Sequence, residues 1–379
     1  MNMNKSLIAM AVAGLFAAPA AMADVTISGA INIGIAAIDS DDSFGGSGDG
    51  LNRMSLATNY TNMNVSSVDD IGNGNKIVAN IQFDLGSMNN TSSFNNRNSY
   101  LGIEGGWGSF KMGTNENVYE RWAYESDPLD GAMGIGGNIQ MLGNTGLQGS
   151  GWFDVGNGQT ADNASFWRRT HHTIWYNSPN FGGFTFEVDR TLNAFKGPAT
   201  NNPAATDPVV TSAGVQFKPE GGKFFVNVGY ETHEEALSNV FGLHDATGMS
   251  LGGGITLGSM LITARVEQLE WELAAGGGKV ERQHIWAGLK WSLPSGYFGA
   301  EVGMAGELGT PAGDLPNSEA MMIGVGYFHN LSKQSQLYVV GTQISNDDNA
   351  NYGIGAGTGS TGGFGSDHMA VTIGMKHTF

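Results

Sequence analysis

The chain has 379 residues, including 59 glycines and no cysteine, and its 18 basic and 35 acidic residues leave a formal net charge of −17. That balance argues against nucleic acid as a partner, because phosphate recognition needs a basic stripe, and it suits a solvated surface or the attraction of cations. No apolar run after residue 23 approaches the roughly 20 residues that a membrane-spanning helix needs.

The first predicted element is a secretory signal peptide over 1–23. Lys5 supplies its basic region, an apolar stretch runs over 7–16, and Ala21, Met22 and Ala23 form a cleavage box. The apolar stretch is too short for a transmembrane anchor. We therefore expect an exported protein whose mature chain, 24–379, begins at Asp24 and folds as a single domain.

The mature chain opens with apolar residues at every second position. Val25, Ile27, Ile31, Ile33 and Ile35 alternate with small or polar residues, and the pattern returns over 76–84, 298–304 and 369–379. A period of two predicts strands with one oily face and one polar or small-residue face. A soluble β-sandwich would alternate in the same way, so the period alone does not distinguish it from a membrane barrel.

Short turns and long loops alternate along the chain, and this distinguishes the two folds. Seven short turns are predicted at 71–74, 105–108, 180–183, 219–222, 258–259, 294–296 and 330–333. Eight longer polar or glycine-rich loops are predicted near 40–50, 88–96, 115–168, 193–209, 233–246, 275–279, 309–317 and 347–366. Fifteen connections join sixteen strands. The sequence therefore predicts an all-β, transmembrane, 16-stranded antiparallel β-barrel with both termini on the short-turn side.

Several segments of the mature chain carry a resemblance to a known family. They are 68–74 with Asp69-Asp70-Ile71-Gly72-Asn73-Gly74, and 77–83, 96–103, 107–108, 111–113, 174–183, 329–333 and 374–379. In order and spacing they resemble the trimeric general porins of Neisseria, Comamonas and Burkholderia type.

The resemblance implies long extracellular loops, short periplasmic turns and an inward-folded third loop that narrows the barrel. It also implies a homotrimer in outer-membrane lipid and lipopolysaccharide that passes small hydrophilic solutes and ions by passive diffusion.

The third loop is the longest predicted loop, at about 114–168, and its first half is rich in carboxylates. We call five of them the acidic lip: Glu116, Glu120, Glu125, Asp127 and Asp130. One hypothesis is that they line a pore constriction opposite a basic wall, so that a transverse field orients polar solutes. The alternative is a solvated acidic loop.

Strand parity predicts the basic side of the wall. Four residues fall on inward positions and form the predicted pore wall, namely Lys111, Arg169, Arg265 and Lys290, and Lys376 has the same parity. A charge facing lipid at the membrane midplane would cost about 2–4 kcal/mol, which favours inward placement. Arg97 shares the parity of Leu101 and Ile103, so it is predicted to face away from the lumen unless the strand has already frayed there.

At three aligned positions where porins of this type carry basic residues, this chain has neutral ones. On the alignment through 69–74, the inward basic positions of the family fall on Asn62, Asn98 and Thr114. Without Lys5 of the signal peptide, the mature chain has 17 basic and 35 acidic residues, a net charge of −18, and together with the neutral aligned positions this predicts a weakly to moderately cation-selective pore.

Catalytic and metal-binding patterns are weak. His171 and His172 are adjacent on a strand, so they point to opposite faces and cannot readily bind one ion together. The acidic run 39–45 lacks the glutamate that closes a calcium loop. We predict no catalytic residues, no metal site and no cofactor, and hence not an enzyme.

Three alternatives stay open. One is a substrate-specific channel for sugars or organic acids, with Trp122, Tyr124, Trp152 and Trp167 as a stacking path. The others are an outer-membrane enzyme of barrel form and a soluble β-protein.

Overall fold

The computed structural model describes residues 24–41, 51–58, 61–84, 95–130, 135–146, 165–167, 169–192, 209–234, 243–273, 276–354 and 364–379. The predicted signal peptide, 1–23, lies outside these residues, as does Trp152. Within the described ranges, no helix has the length and apolar character to cross a membrane.

In the described part of the chain, twenty strand segments form one antiparallel sheet. They are β1 (Asp24–Ser40), β2 (Leu51–Thr58), β3 (Asn62–Gly72), β4 (Asn75–Asp84), β5 (Asn95–Asn96), β6 (Ser99–Gly105), β7 (Gly108–Glu116), β8 (Arg169–Asn177), β9 (Phe184–Thr191), β10 (Val209–Phe217), β11 (Phe224–Glu234), β12 (Leu243–Leu257), β13 (Met260–Leu273), β14 (Lys279–Leu293), β15 (Gly296–Ala305), β16 (Leu308–Thr310), β17 (Gly313–Leu315), β18 (Ala320–Asn330), β19 (Ser335–Asn346) and β20 (His368–Thr378).

These segments make a closed barrel of sixteen strands, as predicted. Segments β2 and β3 both pair with β1, and β5 and β6 both pair with β4, so each couple is one barrel strand. Segments β16 and β17 form a hairpin beside β14. The first and last strands close the sheet, with pairs running from Ala30 opposite Thr378 to Ser40 opposite His368.

The predicted turns fall between consecutive barrel strands, and both Asp24, the first described residue, and Phe379 lie at the short-turn end. One two-residue turn joins β3 to β4 through Asn73 at φ 54° and Gly74 at φ 74°. Two successive positive φ angles match the right-handed twist of a two-residue hairpin, and Asn followed by Gly is the pair that adopts them at least cost. Asp24 pairs with Val68 close to this turn.

The period of two sorts side chains between the outer face and the lumen. Along β1, Ile27 is 62% exposed on the outside, whereas inward-facing Asn32 is 1% exposed. Aromatic side chains exposed near the short-turn end include Trp107, Phe181, Phe184, Trp291 and Phe379. An apolar outer band with aromatic residues near its border is what a lipid bilayer requires of a barrel.

The described parts of the third loop, residues 117–130, 135–146 and 165–167, fold into the barrel. The loop begins with helix α1 (Val118–Ala123), followed by the 3₁₀ turns Tyr124–Ser126 and Asn138–Gln140. Helix α1 packs against β9, β10, β11 and β12. The buried apolar cluster therefore lies inside the barrel, where loop side chains such as Leu129 and Met141 meet the inner wall.

Candidate channel constriction

The third loop lies against one half of the inner wall, at positions where the wall carries glycine. A Cβ at Gly214 of β10 would overlap the ring of Trp122, and one at Gly299 of β15 would be 2.5 Å from Leu129 Cδ2. Real Cβ atoms do not approach so closely, so these glycines leave room for the loop side chains. The loop consequently fills the side of the lumen bounded by β9 to β18.

Arg265 of β13 attaches the loop to this wall. Its guanidinium donates to the carbonyl oxygen of Trp122 at 2.7 Å, to Asn227 Oδ1 at 2.7 Å and to Ser250 Oγ at 2.9 Å. The residue is 1% exposed. Arg265, predicted as part of the basic wall, therefore lies behind the loop and binds the loop backbone.

A charged cluster stands on the opposite side, at the long-loop ends of β4 to β8. Glu116 is the last residue of β7 and forms ion pairs with Arg169 and, at 3.4 Å, with Arg97. Arg169 Nε also donates to Asn98 Oδ1 at 2.8 Å, and Arg97 pairs with Asp84 at 3.2 Å. Both guanidinium groups are thus compensated by neighbouring carboxylates.

The expectation that Arg97 faces away from the lumen is wrong. Asn80 pairs with Tyr100, but Phe83 pairs with Asn96, so the strand formed by β5 and β6 contains one extra residue between these two pairs. A bulge of one residue reverses the parity of all residues beyond it. The side chain of Arg97 therefore turns inward and reaches Glu116.

An opening of about 370 Å³ lies between Tyr124 and Asp130 of the third loop and the cluster side of the barrel. Its lining residues are Asn62, Gln82, Arg97, Asn98, Glu116, Tyr124, Asp130 and Lys376. They come from β3, β4, the β5–β6 strand, β7, the third loop and β20. Among the described residues, each one that lines this opening carries a polar group, and the opening lies off-centre, on the cluster side of the barrel.

Comparison with known proteins decides what this barrel is. A family model described as Gram-negative porin matches residues 8–349. The chain belongs to the Gram-negative porin family. It is therefore an outer-membrane channel and not an enzyme.

Two outer-membrane proteins are similar to this porin in sequence. Outer membrane porin protein 32 of Delftia acidovorans is 27% identical, with 100% of both chains covered. The major outer membrane protein P.IB of Neisseria meningitidis serogroup B is 26% identical over 63% of this chain and 62% of the relative.

Solved structures extend the agreement in fold. The anion-selective porin from Comamonas acidovorans has a TM-score of 0.77 at 22% identity, covering 94% of this chain and 100% of that one. The trimer form of OmpT from Vibrio cholerae has a TM-score of 0.65 at 11% identity, covering 94% and 99%.

Two members of the acidic lip, Asp127 and Asp130, lie near the end of the described segment 117–130 of the third loop. Asp127 is buried, and its carboxylate accepts from the amide of Leu129 at 2.8 Å and shares a hydrogen bond with Glu301 of β15. Asp130, with a side chain 47% exposed, accepts from Lys290 Nζ at 3.2 Å and from the hydroxyl of Tyr297 at 2.5 Å. The structure thus brings Asp130 and Lys290 together, whereas Asp127 faces the wall.

Glu125 also faces the wall of the porin and not the opening. Its Oε2 accepts a hydrogen bond from Gln216 Nε2 of β10 at 2.6 Å. Burial raises the pKa of Glu125, and the positive charge of Lys218 and the hydrogen bond from Gln216 oppose that rise. Its contribution to the field at the opening is accordingly indirect.

Glu120 is a buried residue of helix α1, at the start of the third loop, and lies beside the charged cluster around Glu116. Its Oε1 accepts from the hydroxyl of Tyr124 at 2.9 Å. Burial, with the nearby negative charge of Glu116, raises the pKa of Glu120 to about 7, and Arg169 limits the rise. Of the five lip residues, only Glu116 and Asp130 line the opening.

The remaining predicted wall residue, Lys111, extends over the ring of Tyr100, with its ammonium 5.1 Å from the ring centroid. Along β4, Gln82 alternates with the apolar residues Ile81 and Phe83, so strand parity could have identified Gln82 as a residue that lines the opening. Arg97 could not have been found in this way, because no residue in the sequence marks the bulge.

Of the four residues in the aromatic path of the substrate-specific alternative, the structure describes Trp122, Tyr124 and Trp167. Trp122 and Trp167 are both buried, and only Tyr124 lines the opening. Within the described residues, no group of three or more His, Cys, Asp or Glu side chains could hold a metal ion.

Proposed function

We propose that this porin is a water-filled pore for the passive diffusion of small hydrophilic solutes and ions, with a weak preference for cations. The observation that carries the proposal is the off-centre opening of about 370 Å³, whose described lining residues all carry polar or charged groups. Uncharged amides of Asn62, Gln82 and Asn98 make up much of that lining, and they can replace the hydration of many different solutes. We assign the constriction to this opening, with Asp130 on the loop side and Lys376 on the wall.

We infer the ion preference from the ion pairs beside the opening, in which acidic side chains balance the positive charge of the arginines. Arg97 and Arg169 share Glu116, and Arg97 also pairs with Asp84, so the positive charge on the wall is balanced locally. With little net charge at the opening, the net charge of −18 on the mature chain, which is the −17 of the full sequence without Lys5, governs the potential that an approaching ion meets. That potential favours cations modestly. The anion-selective Comamonas porin supports the fold alone, since it is 22% identical.

Two measurements test this function. Reversal potentials of the purified protein across a planar bilayer in a potassium chloride gradient should show a small excess of cation permeation, and an anion preference would contradict it. Liposome swelling should give permeation rates that fall with solute size regardless of solute chemistry. Saturation by one sugar or one organic acid would instead support the substrate-specific channel, whose strongest structural support is Tyr124 at the opening.

We propose further that the mature chain, 24–379, assembles as a homotrimer in outer-membrane lipid and lipopolysaccharide. The trimer form of OmpT, which has a similar fold, supports this assembly. Chemical cross-linking of the detergent-solubilised protein should stop at three subunits. N-terminal sequencing of the membrane-inserted protein should begin at Asp24 if the signal peptide is removed as predicted.

A further inference from the structure

A second long loop enters the lumen and contacts the third loop. After β19, the eighth-loop segment, residues 346–354, turns inward, and Ala350, Tyr352 and Ile354 are fully buried in the same apolar cluster as Met141. The turn is held by Asn346, whose side chain accepts from the amide of Tyr352 at 2.8 Å and donates to its carbonyl at 2.7 Å.

The segment lies directly on the second half of the third loop. The amide of Asn351 donates to the carbonyl of Gly146 at 2.7 Å, and the hydroxyl of Tyr352 lies 3.4 Å from the carbonyl of Asn144. A Cβ at Gly146, which has φ 67°, would overlap the Tyr352 ring. Only glycine satisfies both the backbone conformation and the close approach at this position.

Tyr352 is also connected to the beginning of the third loop through two wall residues. Its hydroxyl lies 2.7 Å from His284 Nε2, and His284 Nδ1 lies 2.8 Å from Glu267 Oε1. Glu267 accepts hydrogen bonds from the hydroxyl of Tyr119 at 3.0 Å and from the amide of Gly143 at 2.6 Å. Two described segments of the third loop, at Tyr119 and at Gly143, are therefore attached to one chain of buried polar groups that ends at Tyr352.

We propose that Tyr352 is a positioning residue for the constriction: the eighth-loop segment holds the third loop in one arrangement and thereby gives the pore a single open conductance. The contacts made by Tyr352 favour this role over simple filling of space, because its hydroxyl reaches a polar chain that no apolar side chain could join. The inference rests on the proposed function, since it requires a conducting pore.

Single-channel recording in planar bilayers tests it. Tyr352→Phe keeps the ring but removes the hydroxyl, and loss of one buried hydrogen bond should raise the frequency of sub-conductance events about two- to tenfold. The matched control is Tyr338→Phe, which removes a buried hydroxyl that donates to Asn32 on β1 at 2.9 Å and not to the third loop. The control should keep the wild-type frequency of events.

Heat-modifiable migration on gels separates this result from a failure to fold. Should Tyr352→Phe not fold, Asn346→Ala releases the same segment without altering the ring and should raise the event frequency likewise. A folded variant of either kind with wild-type recordings overturns the inference. A wild-type protein that forms no conducting pore would instead contradict the proposed function.

Discussion

The guanidinium of Arg265 on strand β13 donates a hydrogen bond to the main-chain carbonyl of Trp122, 143 positions earlier in the chain, at 2.7 Å. Parity correctly placed Arg265 on the inner face of the barrel. The third loop then covers it, so its charge serves to attach the loop and does not face the passage. Arg265 and the glycines that receive the loop together determine where the passage lies.

Replacing Arg265 with Met should both destabilise the barrel and enlarge its conductance. The substitution leaves the buried carbonyl of Trp122 and the Asn227 side chain without this donor, and each unsatisfied group costs about 1–3 kcal/mol. Urea unfolding in lipid vesicles measures the first effect and single-channel recording the second. The control is Lys290→Met, because Lys290 makes a partly exposed pair with Asp130, worth about 1 kcal/mol or less. Equal losses of stability in the two variants would contradict the assignment.

Gly214→Ala should displace the third loop from the wall. The added methyl group would overlap the Trp122 ring, and such overpacking typically costs about 1–3 kcal/mol. Gly341→Ala is the matched control, since its added Cβ would meet its nearest neighbours at 3.9 Å, an ordinary contact. We expect a lower urea midpoint and altered conductance for the first variant alone. A Gly214→Ala protein that matches the control would show that the wall accommodates a methyl group there.

Glu116→Gln and Arg97→Gln should change ion selectivity in opposite directions. The first removes the carboxylate that Arg97 and Arg169 share, leaving excess positive charge beside the opening and favouring anions. The second leaves Asp84 and Glu116 in excess and favours cations. Reversal potentials in a salt gradient report both shifts, which should weaken as salt screens the charges. Shifts of the same sign would refute the charge balance.

Selectivity should also depend on pH through Glu120. With its pKa raised to about 7 by burial and by Glu116, the carboxyl is largely neutral at pH 6 and ionised at pH 8. Cation preference should therefore increase between these values, and Glu120→Gln should remove that step. Because the folded pKa lies above the usual value, this group favours folding least at high pH, so stability should fall as pH rises towards 7. A pH-independent wild-type reversal potential would contradict the assignment.

The barrel could be predicted because the sequence features that produce strands and turns are local in the chain. Apolar residues at every second position need only neighbours two residues away, and a turn such as Asn73-Gly74 needs only its own backbone preference. All seven predicted turns lie between consecutive barrel strands. The inward path of the third loop was implied by resemblance, but its contacts with Gly214 and Gly299 were not.

The orientation of the charged side chains at the site was harder to predict, because each of them pairs with a residue that lies far away in the sequence. Glu125 meets Gln216 and Asp127 meets Glu301, so two of the predicted lip residues face the wall. Arg97 turned inward because of a bulge that strand parity cannot reveal.

The sequence by itself therefore determined the barrel, its number of strands and the end at which its termini lie. Only the tertiary structure decided which charges remain at the opening, because ion pairing depends on side chains that approach across the lumen and not on any local pattern.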